Sequence, residues 1–299
     1  MSQDNGNAAG TAGWRAAVAP PAAGQLLTGT ATVLDSSSSG VVVERVAQVR
    51  AGHRAEAVSF ARETADRVNT TLAGSCTAFV FEQTFGVRDR LHLLLHMASL
   101  DGYYLLRGSP DLGGLGAPDT WNEHFAEGSI TDTVLLPQFW GMYGTRVDGK
   151  LERESDIYRS PAPVGLPPAR QQTTQPDEQI LHSANAGIVM HRSTQIRYDF
   201  RSEARQFGRE VAESINKNLP GECTVFVYEE AFGTADRLHW LIHLRDLSTY
   251  LRLLTLHVRD EEVRDIYFRD RLPPAKGGGT WARMFVAGSM VDVALTALR

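Results

Sequence analysis

Cysteine is scarce in this sequence. Cys76 and Cys223 are the only two in 299 residues, too few for a disulfide scaffold or a cysteine zinc site. Lysine is nearly absent: of 30 basic residues only Lys150, Lys217 and Lys276 are lysines, an arginine skew that reads as genome composition. Against 35 acidic residues the formal charge is −5, so there is no basic footprint for nucleic acid. No run of 18 apolar residues occurs, which argues against a membrane span. Residues 1–39 lack a basic start followed by an apolar core, so no secretory signal is read there. The expectation is a reduced, soluble, cytoplasmic protein without nucleic-acid or membrane partners.

What the chain does have is an internal repeat. A shift of 147 aligns Gly40–Leu106 with Gly187–Leu253 without a gap and gives 31 identities in 67 positions. A second block, "TWNEHFAEGSITD" against "TWARMFVAGSMVD", aligns with a shift of 160. The difference, 160 − 147 = 13, is an insertion in the second copy, around residues 256–279. The expected organisation is a flexible tail over 1–39, a first repeat over 40–144, a proline-rich linker over 145–183 and a second repeat over 184–299. The glycine-rich loops "DLGGLGAP" and "PPAKGGGT" lack the Gly-Lys-Ser/Thr order of a phosphate loop.

Each copy shows one order of elements. A β-branched alternating strand comes first, then an amphipathic helix ending near Gly74 or Gly221. The hairpin "CTAFVFEQTF…RLHLLLHM", or "CTVFVYEEAF…RLHWLIHL", follows, then a second helix and a fourth strand. β-α-β-β-α-β is the ferredoxin-like order, an α+β unit with helices on one face of its sheet. The bare face must be covered. Two tandem copies cover each other, closing an intrachain pseudo-dimeric barrel with helices outside. On this element order the chain resembles the dimeric α/β-barrel superfamily in a fused two-copy form. The resemblance implies a cofactor-independent oxygenase or cyclase of bacterial secondary metabolism, such as antibiotic biosynthesis, acting on a hydrophobic or aromatic molecule. It equally allows a haem enzyme or carrier with a histidine axial ligand. A third reading is a non-catalytic binding or scaffold protein. The pseudo-dimer is expected to be a monomer or a homodimer.

Alternation within strand three puts Leu91, Leu93, Leu95 and Met97 under the helices and His92 and His96 toward the partner sheet, with His239 and His243 in the second copy. Histidines four apart on a strand are ~13 Å apart, too far to chelate one ion; a metal site would need one histidine from each copy with Glu82 or Glu229, and none is expected. In strand two, Phe79, Phe81, Phe226 and Tyr228 are expected under the helices. Cys76, Val80, Glu82, Cys223, Val227 and Glu229 are then expected inside the barrel. Gln48, Arg50, Gln195 and Arg197 are expected to join them. His92, His96, His239, His243, Glu82 and Glu229 are therefore the catalytic candidates, a histidine or carboxylate as base and Arg50 or Arg197 stabilising an oxyanion. The stronger reading of the same set is a structural polar seam, since buried polar groups must be satisfied. Asp89 and Asp236 read as turn residues.

Aromatic residues between sheet and helices, Phe79, Phe81, Leu93, Tyr103 and Trp121 or Phe226, Tyr228, Trp240, Tyr250 and Trp281, suit a flat apolar ligand or an ordinary core. Positions that differ between copies are Glu44/His191, His53/Phe200, Phe81/Tyr228 and His124/Met284. Trp140, Tyr143 and His257 are candidates without counterparts.

Overall fold

The computed structural model describes residues 19–27, 32–109, 112, 118–138, 146–147, 150–151 and 167–298. Trp140 and Tyr143 lie outside the described residues, as does most of "DLGGLGAP". The first half runs β1 (Val41–Gln48), α1 (Arg54–Thr71), β2 (Cys76–Gln83), β3 (Arg90–Met97), α2 (Asp101–Gly108), α3 (Pro118–Asn122) and β4 (Thr131–Pro137). The second runs β5 (Ile188–Gln195), α4 (Arg201–Asn218), β6 (Cys223–Ala231), β7 (Arg237–Leu244), α5 (Leu247–Arg259), α6 (Glu261–Phe268) and β8 (Val291–Ala297). A two-residue ladder, Arg146–Val147 with Lys150–Leu151, stands apart.

The eight strands close one antiparallel barrel in the order β1-β3-β2-β8-β5-β7-β6-β4. The halves join where β2 meets β8 and where β4 meets β6. A closed barrel leaves no sheet edge to be covered. In α1, Ala57, Ala61, Ala65 and Val68 form the buried stripe; in α4, Ala204, Phe207, Val211 and Ile215 do so, at helical spacing. Asn69 and Asn216 tie each helix to strand two. Asn69 Nδ2 donates to Ala78 O (3.0 Å) and Ala78 N to Asn69 Oδ1 (2.7 Å), and Asn216 does the same with Val225. Gly74 (φ +80°) and Gly221 (φ +71°) turn the chain from helix to strand in the left-handed region.

Strand two faces the opposite way from the sequence expectation. Directly paired residues share a face, and Phe81 pairs with His92 and Phe79 with Leu94. Phe79, Phe81, Phe226 and Tyr228 are thus inside the barrel, packed with Val42, Leu94, Leu135, Val189, Leu241 and Leu295. Cys76, Val80, Cys223 and Val227 lie under the helices. "CTAFVF" is buried on both faces, so it carries no alternation that marks one of them.

The described parts of the expected tail and linker are built into the fold. Residues 22–25 and 169–172 each form a 3-10 turn, again 147 apart. Gln25 Nε2 donates to Val80 O (2.7 Å) and Leu298 O (3.0 Å), and Val80 N donates back to its Oε1 (2.9 Å). Gln172 bonds Val227 and Gln138 in the same way. Each glutamine staples one joint between the halves. Residues 35–39 and 180–186 plug one end of the barrel, with Ser36, Ser39 and Ser183 fully buried. The repeat therefore reaches back to Pro21 and Pro168, where proline, small-residue and polar composition reads as loop.

Candidate functional site

Two polar clusters occupy the ends of the barrel interior. At the plugged end, His96 Nδ1 faces Thr77 O (3.3 Å) and His243 Nδ1 faces Thr224 O (3.1 Å). Carbonyls only accept, so both Nδ1 atoms carry the proton. Each Nε2 then accepts from a serine: Ser183 Oγ to His96 (2.9 Å) and Ser36 Oγ to His243 (2.8 Å). Burial lowers the pKa of His96 to about 4 and that of His243 to about 3. These histidines are neutral near pH 7 and locked on both sides, without access for a reactant.

At the rim end, Glu44 receives His92 Nδ1 (2.7 Å) on one oxygen and His191 Nδ1 (2.8 Å) on the other. His191 Nε2 lies 2.8 Å from His239 Nδ1, and His239 Nε2 lies 3.3 Å from Glu230 Oε2. Burial would raise the Glu44 carboxyl, but the charge and bonds of His191, then His92, hold it well below the usual range. Burial likewise opposes a charge on His191, and Glu44 outweighs it and raises the pKa. His239 falls to about 4, mainly by burial. All four predicted histidines thus face the barrel interior, but in two separate clusters.

Glu82 and Glu229 are in neither. Both lie on the helix face, because strand two has the opposite parity. Glu82 pairs with Arg54 (2.8 Å). Glu229 takes a two-pronged bond from the buried Arg205 (2.6 and 2.7 Å) and another from Gln138 (2.8 Å). Gln48 and Gln195 do not reach the histidines either. They hold hairpin carbonyls, Arg88 O and Asp89 O in one half, Ala235 O and Asp236 O in the other. Arg50 donates to Asn122 O, and Arg197 stacks over Phe200. Both arginines follow the strands, at the surface.

The aromatic candidates divide between the halves. In the first, Trp121 meets Phe60 edge-on (5.2 Å), lies under Arg45 (4.9 Å) and is buried in the core beneath the helices, with Tyr103 packed against that core. Tyr228 is inside the barrel, its hydroxyl donating to Ser36 O (2.5 Å), not a cleft residue. In the second half a cleft of about 590 Å³, counting its open mouth, lies between the sheet and α4, α5 and α6. The centre of a water-sized molecule can range over about 60 Å³ of it. Trp240, Tyr250 and Trp281 line it, with Phe207, Leu253 and Met190. Phe207 stacks flat on Trp281 (5.5 Å, 5°), and Tyr267 stands edge-on to both.

One wall of the cleft is polar. His257 Nδ1 donates to Leu253 O (2.6 Å), so its Nε2 accepts from the Tyr267 hydroxyl (2.9 Å). Arg192 lines the same wall, held by Asp292 through two 2.7 Å bonds. Burial lowers the His257 pKa, and the Arg192 charge lowers it further. Burial lifts Tyr267 to about 12, with Arg192 opposing. Tyr267 sits on α6, in the segment around residues 256–279 where the second copy is 13 residues longer than the first. Arg192, Tyr267, Ser36, Ser183 and Glu230 were not singled out from sequence. Ser36/Ser183 and Gln25/Gln172 are identities at the same offset of 147 and were visible there; Tyr267 had no signal beyond the insertion.

A family model matches residues 2–109 and 114–299. The chain belongs to the family of unknown function DUF6039. Among curated proteins, none matches this DUF6039 chain. A solved structure of a provisionally assigned monooxygenase from Fusobacterium nucleatum aligns with a TM-score of 0.52 at 11% identity, over 88% of this chain and 94% of its own. An anthrone oxidase-like protein aligns with a TM-score of 0.50 at 9% identity, over 89% and 94%. These likenesses show that this DUF6039 chain has the dimeric α/β-barrel fold. Among its described residues no helix is long and apolar enough to cross a membrane.

Proposed function

We propose that the chain is a small-molecule enzyme of the dimeric α/β-barrel class, an oxygenase or cyclase of bacterial secondary metabolism that acts on a flat hydrophobic substrate. In this reading each half is a ferredoxin-like copy of one unit, and the active half is the second. The observation that carries it is the cleft, with an aromatic floor of Phe207, Trp240 and Trp281 and a polar wall of Arg192, His257 and Tyr267. The ring stack suits a planar ring. Neutral His257 serves as base through the Tyr267 hydroxyl, and Arg192 stabilises developing oxyanion charge, the role the sequence suggests for Arg50 and Arg197. The free volume is small, so a ring-sized ligand requires α5 to move outward. The protein works in the cytoplasm as a monomer or homodimer, on a small hydrophobic molecule rather than nucleic acid or membrane, and without a tightly bound cofactor.

Haem fits the barrel interior poorly. Both ring nitrogens of His96, His191, His239 and His243 already have partners; His92 Nε2 lacks one among the described residues, but the space between the clusters is filled by Phe79, Phe81, Phe226 and Tyr228.

The test is a tryptophan-fluorescence titration with anthrone, paired with oxygen uptake. Saturable quenching that Trp281→Ala weakens at least tenfold, with uptake lost in Tyr267→Phe while binding persists, is the expected result. Binding without uptake rules out the oxygenase and leaves a cyclase or a non-catalytic binder. No binding by anthrone or any other planar aromatic overturns the assignment of the cleft.

A further inference from the structure

The rim cluster is unequal across the two halves. On the second-half side the chain of bonds reaches its end, because His239 Nε2 meets Glu230 Oε2 at 3.3 Å. On the first-half side it stops at His92. That ring gives its Nδ1 proton to Glu44, since a carboxylate only accepts. Its Nε2 is buried and has no partner among the described residues, and His92 is 3% exposed.

Position 83 is the first-half counterpart of Glu230, and it holds glutamine. Gln83 Nε2 is committed to Phe85 O at 2.7 Å, which fixes the amide's orientation. Its Oε1 is likewise buried without a partner. Phe81 pairs with His92, so Gln83, two residues on, lies on the same inner face beside it. The equivalent second-half atoms meet directly at 3.3 Å, whereas His92 Nε2 and Gln83 Oε1 make no such bond. Two acceptors cannot bond each other, and each is costly to bury alone. A molecule carrying two hydrogens satisfies both.

We propose that the first-half rim is a binding site for one water-sized hydrogen-bond donor, a water or an ammonium ion, seated between His92 Nε2 and Gln83 Oε1. Size limits the occupant: Phe81, paired with His92, and Leu295, paired with Gln83, are at most 1% exposed. The occupant ends a hydrogen-bonded chain running through Glu44, His191 and His239 to Glu230. The site is separate from the aromatic cleft and does not depend on its function.

The test uses the full chain with 15N-labelled histidine. Long-range proton–nitrogen spectra report which ring nitrogen of His92 is protonated. Magnetisation transfer from water reports a long-lived neighbour. The expected result is an unprotonated His92 Nε2 with a cross-peak to bound water, unchanged by potassium chloride. If ammonium is the occupant, the cross-peak instead moves in ammonium chloride and not in potassium chloride at equal strength. Gln83→Leu should abolish the cross-peak while the Glu44–His92 bond signal stays. Gln83→Glu should abolish it by bonding Nε2 directly, as Glu230 bonds His239. A wild-type His92 with a proton on Nε2 bonded directly to Gln83 overturns the proposal. So does a wild type without a cross-peak to water or ammonium.

Discussion

Ser36 and Ser183, 147 residues apart, hold each other across the plugged end of the barrel. Ser36 N donates to Ser183 Oγ and Ser183 N to Ser36 Oγ, both at 3.0 Å. Each hydroxyl also serves the histidine of the opposite half. Ser36→Ala strands the Ser183 amide and His243 Nε2 together. Each single alanine variant is expected to cost ~2 kcal/mol, and the double variant less than the sum, because the two share one network. Urea denaturation of the four members of the cycle measures this. Additive losses would show that the serines act independently.

The buried histidines make the fold acid-sensitive. His96 and His239 protonate near 4 and His243 near 3 when folded, against the ordinary 6.5. Between those values the unfolded chain binds more protons. Stability is therefore full above pH 6.5 and falls as the pH drops toward 4, by about 1.4 kcal/mol per pH unit for each histidine. His191 works in the other direction: its raised pKa contributes stability below pH 6.5 that is lost as pH rises through its folded value. Denaturation midpoints from pH 8 to pH 4 check the balance, and His243→Gln should flatten the acid side. A wild-type midpoint that is level from pH 6.5 to 4.5 would contradict it.

The two strand-two glutamates differ in what they contribute. Arg205 is 2% exposed and Glu229 8%, whereas Arg54 is 48% exposed. Arg205→Ala leaves a buried carboxylate uncompensated and is expected to cost about 3–5 kcal/mol. Arg54→Ala should cost ~1 kcal/mol or less. Arg205→Met combined with Glu229→Leu should recover most of the loss. Equal effects of the two single variants on the denaturation midpoint would refute the contrast.

Much of this was written in the chain, and the exceptions have physical reasons. Strand three puts both histidines on one parity and an unbroken apolar row, Leu91, Leu93, Leu95 and Met97, on the other, so its two faces are legible. Strand two is apolar on both sides, and its parity rests on pairing with strand three, which no local pattern encodes. The polar wall depends on Tyr267, which an insertion brings next to His257 from ten residues away. The plug and the glutamine staples sit in loop-like composition, so only the offset between Gln25 and Gln172 betrays them.

Phe232 is 86% exposed and held at φ +59°, while its counterpart Phe85 has no positive φ. A left-handed backbone costs an L-residue about 1–2 kcal/mol. Phe232→Gly is expected to raise stability by up to ~1 kcal/mol, and Phe85→Gly to lower it by ~0.5–1 kcal/mol. Thermal melts of the two variants compare them directly. A loss in both would remove the strain argument.

Glu44 and His191 occupy equivalent positions, as do Asp35 and His182, and both pairs meet across the barrel, at 2.8 and 3.2 Å. Two identical chains joined on a twofold axis would set glutamate against glutamate, or histidine against histidine, at those points. Like partners there must share a proton or repel. One continuous chain is free of that rule and can spell acid on one side and imidazole on the other. Covalent continuity thus gives this barrel an inside whose two halves are different in charge, which no homodimer of either half can have.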